Sequence, residues 1–478
     1  MACSKRMTNR REFLKKTILA GTGAILPYRE KTGNPRVAKK VVVVGAGISG
    51  LCCGYELMKL GHDVVVLEAS ASHGGHVRTG REGLSDGLYA DLGAEHITNP
   101  GYKRYWEYTE EFNLTVLPYP RRQNMLRRLD GNFYTEEMLH DASVLKKFGF
   151  NNREIRYLAD HPWWELKSLF TGPYLDKFTD EYQPFGVGYD TLDTIPMADI
   201  YMKEGASAAA LRTLGGEYVS ALYELWQAGI LHLRGVPLWP PHVYRLKGGN
   251  QTLTDAFAGE LAHRVRLNCP VSAVSHGQSG VTVTYKEFRE EKGISADFMV
   301  VCIPPPACRK LRVDPPLPAE KQFVMDHVAY DSYSRFVFQA HSRFWEEDNL
   351  SINMELNHPD IGSIWQTAEE VDTDLALLLG SGPGGISPQR ALSAFKAIYP
   401  GRRVTIDYAM SQDWTKDQAS PTCERLPFPI GSLNRFWPFV MTPHGRIHFA
   451  GASADNLNWG MEAATRSANR VAQEIDQT

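Results

Sequence analysis

Short runs of β-branched and aliphatic residues recur along the chain and predict the strands of a buried sheet. Three of them are Lys40–Val44, Asp63–Glu68 and Phe298–Ile303, and apolar runs of this length are typical of parallel strands that are covered on both faces. Between the first two runs, the pattern predicts a helix over Ile48–Leu60. Strand, helix and strand in this order indicate the βαβ unit that begins a doubly wound sheet.

The remaining patterns divide the chain into alternating stretches. Further strands are predicted at Arg264–Leu267, Val271–Val274, Val281–Tyr285, Arg335–Ala340, Ile364–Thr367, Val404–Tyr408 and Arg446–Phe449. Helical patterns occur at Ser207–Leu231, inside an aromatic-rich stretch, and at Met461–Ile475. We therefore expect one nucleotide-binding domain made of residues 39–100, 241–310 and 441–478. A second domain is expected to be inserted twice, as a helical part (101–240) and a sheet part (311–440).

A glycine-rich turn follows the first predicted strand and opens the first predicted helix. It reads Gly45-Ala46-Gly47-Ile48-Ser49-Gly50, and Glu68 ends the next strand. In this context the glycines allow a tight turn and a close approach to a pyrophosphate at the helix N-terminus, and the acid binds ribose hydroxyls. An acid at this point argues against a 2′-phosphate, so the expected ligand is NAD or FAD.

The charge of the chain is unevenly distributed. Residues 1–40 contain eleven Lys and Arg against two acids, so the rest of the chain is acidic, because the total is −3. A protein that binds nucleic acid is expected to carry its positive charge on the folded part, so no nucleic-acid partner is predicted. Arg10-Arg11 followed by Phe13-Leu14 and a weakly apolar run is similar to a twin-arginine export signal over residues 1–38. The alternative is that this N-terminus is charged and unstructured and has no role in export.

The seven cysteines have no C-x-x-C spacing and no Cys/His cluster with zinc spacing. No metal site is therefore expected, and the thiols are expected to be structural.

Three further segments carry a resemblance to a known family. They are His73-Gly74-Gly75-His76-Val77-Arg78-Thr79, Asp91-Leu92-Gly93-Ala94-Glu95 and the distant His448-Phe449-Ala450-Gly451, which is followed by Trp459-Gly460-Met461-Glu462. In this order they resemble the flavin amine oxidase family, which includes monoamine, polyamine and L-amino-acid oxidases. The resemblance implies an α/β, two-domain FAD-dependent amine oxidase-like fold. A Rossmann-type FAD domain would be combined with an α+β substrate domain that contains a mixed sheet.

The resemblance also implies which residues bind FAD. Arg78 would offer a charge to the pyrophosphate, Val271 would lie at the adenine, and Met461 would place a backbone amide near the polar edge of the flavin. The whole implied set is Gly45, Ala46, Gly47, Ile48, Ser49, Gly50, Glu68, Ala69, Gly74, Gly75, His76, Arg78, Gly93, Ala94, Glu95, Val271, Gly451, Ala452, Gly460 and Met461.

The chain departs from the family pattern at positions that bear on chemistry. His76 and Ala452 stand where an Arg and a Glu are common. Arg335 stands where a Lys holds a water near the flavin; because Arg cannot lose its proton, altered oxygen reactivity is expected. Glu424 and Gly460 occupy the two positions of an aromatic cage, and Trp459 can supply one ring. Arg335, Glu424 and Trp459 are the candidate catalytic residues. Cys423 lies where some members attach flavin covalently, but FAD without a covalent bond is expected.

The expected activity is hydride transfer from an amine to the flavin, which gives an imine and then a carbonyl product, with O2 or another carrier as acceptor. Three alternatives remain open. A carbon–carbon desaturase shares the fold. An L-amino-acid oxidase is disfavoured because no Arg follows Leu92-Gly93-Ala94, although Arg104, Arg121 or Arg122 could substitute. A flavin-binding protein without activity is the third. The protein is expected to be periplasmic, or held at the membrane by an uncleaved signal, and a homodimer is left open.

Overall fold

The computed structural model describes residues 37–421 and 424–478, so Cys423 and almost all of the predicted export segment lie outside it. Its strands are β1 (Lys40–Val44), β2 (Asp63–Leu67), β3 (Thr79–Gly80), β4 (Ala90–Asp91), β5 (Ile97–Thr98), β6 (Val116–Pro118), β7 (Leu126–Leu129), β8 (Asn132–Thr135), β9 (Val243–Leu246), β10 (Val265–Arg266), β11 (Val271–His276), β12 (Val281–Glu287), β13 (Glu290–Ala296), β14 (Phe298–Val301), β15 (Arg312–Asp314), β16 (Ser334–Ala340), β17 (Met354–His358), β18 (Ile361–Thr367), β19 (Ala376–Gly382), β20 (Ile406–Asp413) and β21 (Ile447–Phe449).

The α-helices are α1 (Ile48–Lys59), α2 (Lys103–Glu111), α3 (Ala142–Phe148), α4 (Asn152–Asp160), α5 (Leu166–Thr171), α6 (Met197–Lys203), α7 (Ala208–Leu214), α8 (Ala221–Leu233), α9 (Gln251–Leu261), α10 (Pro305–Cys308), α11 (Ala319–His327), α12 (Phe344–Glu347), α13 (Pro388–Ile398), α14 (Leu433–Phe436) and α15 (Gly460–Gln477). Among the described residues, no helix is both long and apolar enough to cross a membrane.

A five-stranded parallel sheet has the order β10-β2-β1-β14-β21 and therefore gathers strands from three distant stretches of the chain. Val41 and Val43 face one hydrophobic core together with residues of α1, α9 and α15, and Val42 and Val44 face another. Because both faces are covered, the strand can be apolar at every position, which is why its pattern was a continuous run. The carboxyl ends of these strands meet at one edge, where a doubly wound sheet binds its ligand.

A seven-stranded sheet has the order β20-β16-β19-β18-β17-β7-β8. It is mixed, as expected, because β17 and β7 run parallel while the other neighbours are antiparallel. Strands β7 and β8 come from the stretch that was expected to be helical. The segment Leu-Arg-Arg-Leu of β7 does not alternate between apolar and polar residues, so its pattern did not indicate a strand. A four-stranded sheet, β13-β12-β11-β15, packs beside the parallel sheet.

The helical stretch contributes α2 to α8. The predicted helix over Ser207–Leu231 is in fact two helices, α7 and α8. Gly215 and Gly216 break it, since their φ angles are +64° and +93°, values that end an α-helix and that glycine adopts without strain. Ser220 then caps α8, because its side chain accepts a hydrogen bond from the amide of Tyr223.

Candidate cofactor and substrate site

The first glycine segment forms a tight turn between β1 and α1. Gly45 has a φ of +102°, and a β-carbon on it would lie 2.8 Å from the side chain of Ile303. A β-carbon on Gly50 would lie 1.8 Å from the carbonyl oxygen of Gly45. Only glycine is therefore compatible with the turn that starts α1 at Ile48 and Ser49. The N-terminus of this helix, with its free amides, faces the edge of the parallel sheet.

The second glycine segment runs directly beside the first. The amide of Gly74 donates to the carbonyl of Ala46 over 2.8 Å, and Gly47 and Gly74 form an isolated parallel bridge. A β-carbon on Gly75, where φ is +57°, would lie 3.2 Å from the Cα of Gly47. Two glycine backbones thus lie in contact. Because no side chains cover them, a pyrophosphate can approach this surface closely.

Glu68 is fixed at the end of β2. Its carboxylate accepts hydrogen bonds from the amide of Ala46 over 2.7 Å and from the amide of Ser70, beyond Ala69, over 2.8 Å. An immobile carboxylate at this strand end fits the ribose of an adenosine. The glycine cradle and this acid together match a dinucleotide, so the residues present fit FAD.

His76 carries no positive charge, in contrast to the Arg that is common at its position. Burial lowers its pKa to about 4, and its ring packs edge-on against Trp414 with 4.3 Å between centroids. Its Nε2 lies 3.2 Å from the carbonyl of Ser420. Arg78 lies 5.0 Å over the same Trp414 ring and pairs with Asp417 at 3.2 Å. Both residues therefore anchor the segment 414–420 beside the cradle, and only Arg78 brings a charge.

Gly93 and Ala94 connect this region to the seven-stranded sheet. A β-carbon on Gly93 would lie 2.0 Å from the carbonyl oxygen of His76, so glycine is required there. The amide of Ala94 donates to that carbonyl over 3.1 Å, and Nη2 of Arg335 donates to the carbonyl of Gly93 over 3.2 Å. Arg335, on β16, is thus in direct contact with the predicted cofactor segment.

Glu95 is the centre of a buried charged group. Its carboxylate accepts hydrogen bonds from Nη1 of Arg121, from Nε1 of Trp365 and from the hydroxyl of Tyr119. It also lies 3.9 Å from Nη2 of Arg335. Glu95 is 4% exposed and Arg335 is 5% exposed, so this ion pair has little contact with water. Among the described residues, Nε and Nη1 of Arg335 have no hydrogen-bond partner.

Arg122 and His96 extend the group. Nη2 of Arg122 lies 3.5 Å from Nε2 of His96, and its Nη1 donates to the carbonyl of Pro240 over 3.0 Å. Burial lowers the pKa of His96 to about 3, and the charge of Arg122 adds to this effect, so the imidazole is neutral. Burial, followed by the charges of Arg335 and Arg122, also lowers the pKa of Arg121. We call Arg121, Arg122 and Arg335 the arginine cluster.

Trp459 and Glu424 lie on another side of this group. The ring of Trp459 meets Tyr102 edge-on at 5.9 Å, and a β-carbon on Gly460, which begins α15, would lie 3.5 Å from the hydroxyl of Tyr102. Glu424 is exposed, yet its carboxylate partly opposes the burial-driven fall in the pKa of His96 and adds to the burial-driven rise in the pKa of Tyr102. The charge of Glu424 therefore acts on both His96 and Tyr102.

The remaining predicted positions are more dispersed. Val271 lies in β11 of the small sheet, opposite Tyr285. The amide of Gly451, where φ is +146°, donates to the hydroxyl of Ser467 over 2.9 Å, and Ala452 begins the short 3-10 turn that follows. Met461 is buried in the first turn of α15. Of the three arginines named as substitutes, Arg104 is not in the cluster, because it pairs with Glu107 on α2 and is 43% exposed.

Sequence reasoning did not identify His96, Tyr119 and Trp365. Their neighbours in space come from strands that are far apart in the chain, and no local spacing signals such a meeting. The one usable signal was the polar pair Glu95-His96 directly after a glycine, in a stretch expected to lie against the cofactor.

The family model described as flavin-containing amine oxidoreductase matches residues 48–476. An L-amino-acid oxidase of Vipera ammodytes ammodytes is 25% identical over 504 aligned positions, which cover 99% of this chain and 97% of that protein. An L-amino-acid oxidase of Bothrops atrox is 24% identical and covers 93% of this chain and 90% of its own length.

Solved structures have the same fold. Putrescine oxidase bound to putrescine has a TM-score of 0.76 at 21% identity and covers 93% of this chain and 100% of that one. Cyclohexylamine oxidase from Brevibacterium oxydans has a TM-score of 0.75 at 22% identity, with 92% and 99% covered. Because identity is this low, these two neighbours establish the architecture alone, which is the expected two-domain amine oxidase fold.

Proposed function

This chain belongs to the flavin-containing amine oxidoreductase family, and from that premise we propose that its substrate is an L-amino acid, an amine with a carboxylate on the carbon that loses hydrogen. Family membership makes the chain an FAD-dependent enzyme that oxidises a small-molecule amine. FAD supplies a hydride acceptor, so that the amine becomes an imine, which water hydrolyses to a carbonyl product. The proposal concerns which amine, and which residues of this chain bind and orient it.

One observation carries the proposal: two arginines share one buried carboxylate, and a third arginine lies beside them at His96. Glu95 already accepts from Arg121 and lies near Arg335, and Arg122 has no carboxylate within salt-bridge distance among the described residues. Guanidiniums removed from water without enough counter-charge are costly. A substrate carboxylate would supply the missing negative charge and accept the free N–H groups of Arg335. The names of the similar sequences, L-amino-acid oxidases, support the same assignment.

The cofactor side of the proposal follows the cradle. Gly45, Gly47, Gly74 and Gly75 would contact the pyrophosphate through their backbones, and Glu68 would bind the ribose hydroxyls. Arg335 would orient the reacting end of the substrate from β16. FAD without a covalent bond is proposed, although Cys423 lies outside the described residues. Acid precipitation tests this, because free yellow flavin in the supernatant excludes a covalent bond.

Glu424 supports a second candidate, a cationic amine without a carboxylate. Its exposed carboxylate acts electrostatically on His96 and Tyr102 and would attract an ammonium group or accept its proton. Putrescine and cyclohexylamine are amines of this type. The two candidate substrates differ only in the carboxylate, so one comparison can distinguish them.

The experiment compares amines in pairs that differ only in the carboxylate, such as L-phenylalanine with phenethylamine. The holoenzyme is mixed with each amine without oxygen, and bleaching of the flavin absorbance is followed. We expect rapid bleaching by amino acids and slow bleaching by their decarboxylated partners. The opposite order would favour the second candidate. Admission of air then tests the acceptor: slow reoxidation is expected from Arg335 and would favour a carrier over O2.

Export by the twin-arginine route, with or without cleavage of the signal, and assembly as a homodimer complete the proposal. Fractionation of cells that express the full chain, compared with an Arg10→Lys, Arg11→Lys variant, tests the export. Light scattering of the purified holoenzyme tests the assembly.

A further inference from the structure

A row of polar side chains crosses the seven-stranded sheet at one level. Strand pairing aligns Arg335 with Ser381, Ser381 with Ser363, Ser363 with Glu355, and Glu355 with Arg127. Paired residues on adjacent strands project to the same face of a sheet. Arg335, Ser381, Ser363, Glu355 and Arg127 therefore form one continuous line of side chains, which we call the polar row.

The polar row lies on the face that carries the charged site. Trp365 is two residues beyond Ser363 on β18, so it shares that face, and it contacts both Glu95 and the guanidinium of Arg121. On the opposite face the strands are packed with apolar residues of a hydrophobic core, among them Phe336, Ile364 and Leu378. The apolar face of the sheet is the one that packs against this core, so packing of that core does not require the polar row on the other face.

The polar row links the cluster to an outer position. With neighbouring strands about 4.8 Å apart, Arg335 and Arg127 are separated by about 19 Å across the sheet. Ser381 and Ser363, in the middle, are only half-buried and are hydrogen-bonded to each other over 2.5 Å. Water thus reaches the middle of the row, whereas Arg335 at its inner end is buried.

The outer end of the row is a second charged pair. Nη1 of Arg127 donates to Glu355, whose side chain is 42% exposed. The guanidinium of Arg127 lies 5.8 Å from the ring of Trp163 and 5.5 Å from that of Trp164, and Arg127 is 7% exposed. Its Nε is buried and has no hydrogen-bond partner within residues 37–421 and 424–478.

The loop that carries Arg121 and Arg122 is hydrogen-bonded to the segment that leads into the strand of Glu355, because Nδ2 of Asn353 donates to the carbonyls of Pro120 and Gln123 over 2.9 Å each. Burial lowers the pKa of both Arg121 and Arg122, and the carboxylate of Glu355 opposes that shift in each. Glu355 therefore acts on Arg127 by direct contact and on Arg121 and Arg122 through a longer-range charge interaction. The inner and outer pairs are parts of one charged surface.

We infer that Arg127 and Glu355 form an outer subsite that captures a zwitterionic substrate, and that the polar row leads it to the arginine cluster. A zwitterion has one group for each charge of the pair: its carboxylate can pair with the guanidinium of Arg127, and its ammonium can bind the exposed side of Glu355. The carboxylate can then pair with Arg121 and Arg122 further in. This inference rests on the proposed function, since a simple amine lacks the carboxylate.

The test uses rapid mixing of the oxygen-free holoenzyme with an amino acid that reduces its flavin. Arg127→Gln is compared with Arg128→Gln, because Arg128 follows on the same strand and projects from the opposite face. Glu355→Gln is compared with Glu347→Gln, an exposed acid outside the row. Flavin content and melting temperature are measured for each variant. Glu355→Gln is expected to disturb folding less than Arg127→Gln, because the side chain of Glu355 is the more exposed of the two.

We expect Arg127→Gln and Glu355→Gln each to lower the second-order rate constant of flavin reduction about tenfold. The limiting rate at saturation should stay within about twofold, because the reacting position is unchanged. Arg128→Gln and Glu347→Gln should match the wild type. Equal behaviour of both members of each pair would overturn the inference while leaving the proposed function intact. A fall in the limiting rate as large as that in the second-order constant would also overturn it. Failure of every amino acid to reduce the wild-type flavin would instead refute the proposed function, and the zwitterion subsite with it.

Discussion

Nη2 of Arg335 lies 3.9 Å from Oε1 of Glu95, a contact between the sheet and the segment that follows the cofactor cradle. Both side chains are almost completely buried, and Glu95 also accepts from Arg121. The carboxylate is therefore the common counter-charge of two guanidiniums. Its removal would leave two buried cations facing each other.

We predict that Glu95→Gln lowers the free energy of unfolding by about 3 kcal/mol, the size of the loss when one partner of a buried ion pair is removed. Denaturant titration of the holoenzyme measures it. Glu82→Gln is the control, since Glu82 is exposed and should change stability by less than about 0.5 kcal/mol. A loss as small as that of the control would mean that Glu95 is not the counter-charge of the cluster.

The sequence predicted the buried parallel sheet closely. The observed β1 has the predicted bounds, and α1 and β2 end within one residue of them, because strands covered on both faces contain apolar residues without interruption. The predictions were poorer where the chain breaks its own periodicity. Gly215 and Gly216 divide a predicted helix whose apolar pattern continues on both sides of them. In β7, two consecutive arginines interrupt the alternation of apolar and polar residues, so the pattern did not predict a strand.

The glycine cradle could be foreseen because its residues lie in local segments with required glycines. The charged group around Glu95 could not. Arg335 and Glu355 become neighbours in one row only through the strand order β16-β19-β18-β17, and no sequence spacing encodes that order. The resemblance suggested simple amines, since it locates a carboxylate-binding Arg only directly after Ala94. Arg121 comes from a different loop and contacts Glu95, the residue that follows Ala94.

Gly50→Ala should abolish flavin binding. The new β-carbon would lie 1.8 Å from the carbonyl oxygen of Gly45, so the turn that forms the cradle must move. The flavin-to-protein absorbance ratio after purification measures the effect. Gly259→Ala is the matched control, because Gly259 lies in α9 with no atom within 4 Å of the added carbon. It should retain flavin and gain up to about 1 kcal/mol in stability. Full flavin content in Gly50→Ala would refute the proposed cradle.

Arg122→Gln should raise KM for amino acids about tenfold to a hundredfold, the loss of one charge-assisted contact, with a much smaller effect on decarboxylated amines. Steady-state kinetics with L-phenylalanine and phenethylamine measure the ratio. Arg104→Gln is the control, because Arg104 pairs with Glu107 on an exposed helix face. An equal effect of Arg122→Gln on both compounds would indicate a structural role, and an effect of Arg104→Gln on the ratio would contradict the assignment of the cluster.

His76 should make the enzyme less stable in acid. Burial lowers its folded pKa to about 4, whereas an unfolded histidine titrates near 6.5. Between these values the unfolded chain binds a proton that the folded chain does not, so stability falls as the pH falls from about 6.5 to about 4. The decline should be shallower in His76→Gln than in the wild type. Parallel stability profiles of the two proteins, measured by denaturant titration across this range, would show that His76 is not buried as a neutral ring.

Glu424→Gln should reduce the affinity for the substrate in its ammonium form. The exposed carboxylate of Glu424 acts on His96 and Tyr102, so it offers negative charge where Glu424 and Gly460 occupy the two predicted positions of an aromatic cage. Loss of that charge should raise KM about tenfold, and the pH dependence of kcat/KM should weaken because the ammonium loses its partner. Glu424→Asp, which keeps the charge, should recover part of the loss. If Glu424→Gln has the KM, kcat and pH profile of the wild type, Glu424 faces solvent without a role in recognition, and the arginine cluster alone selects the substrate.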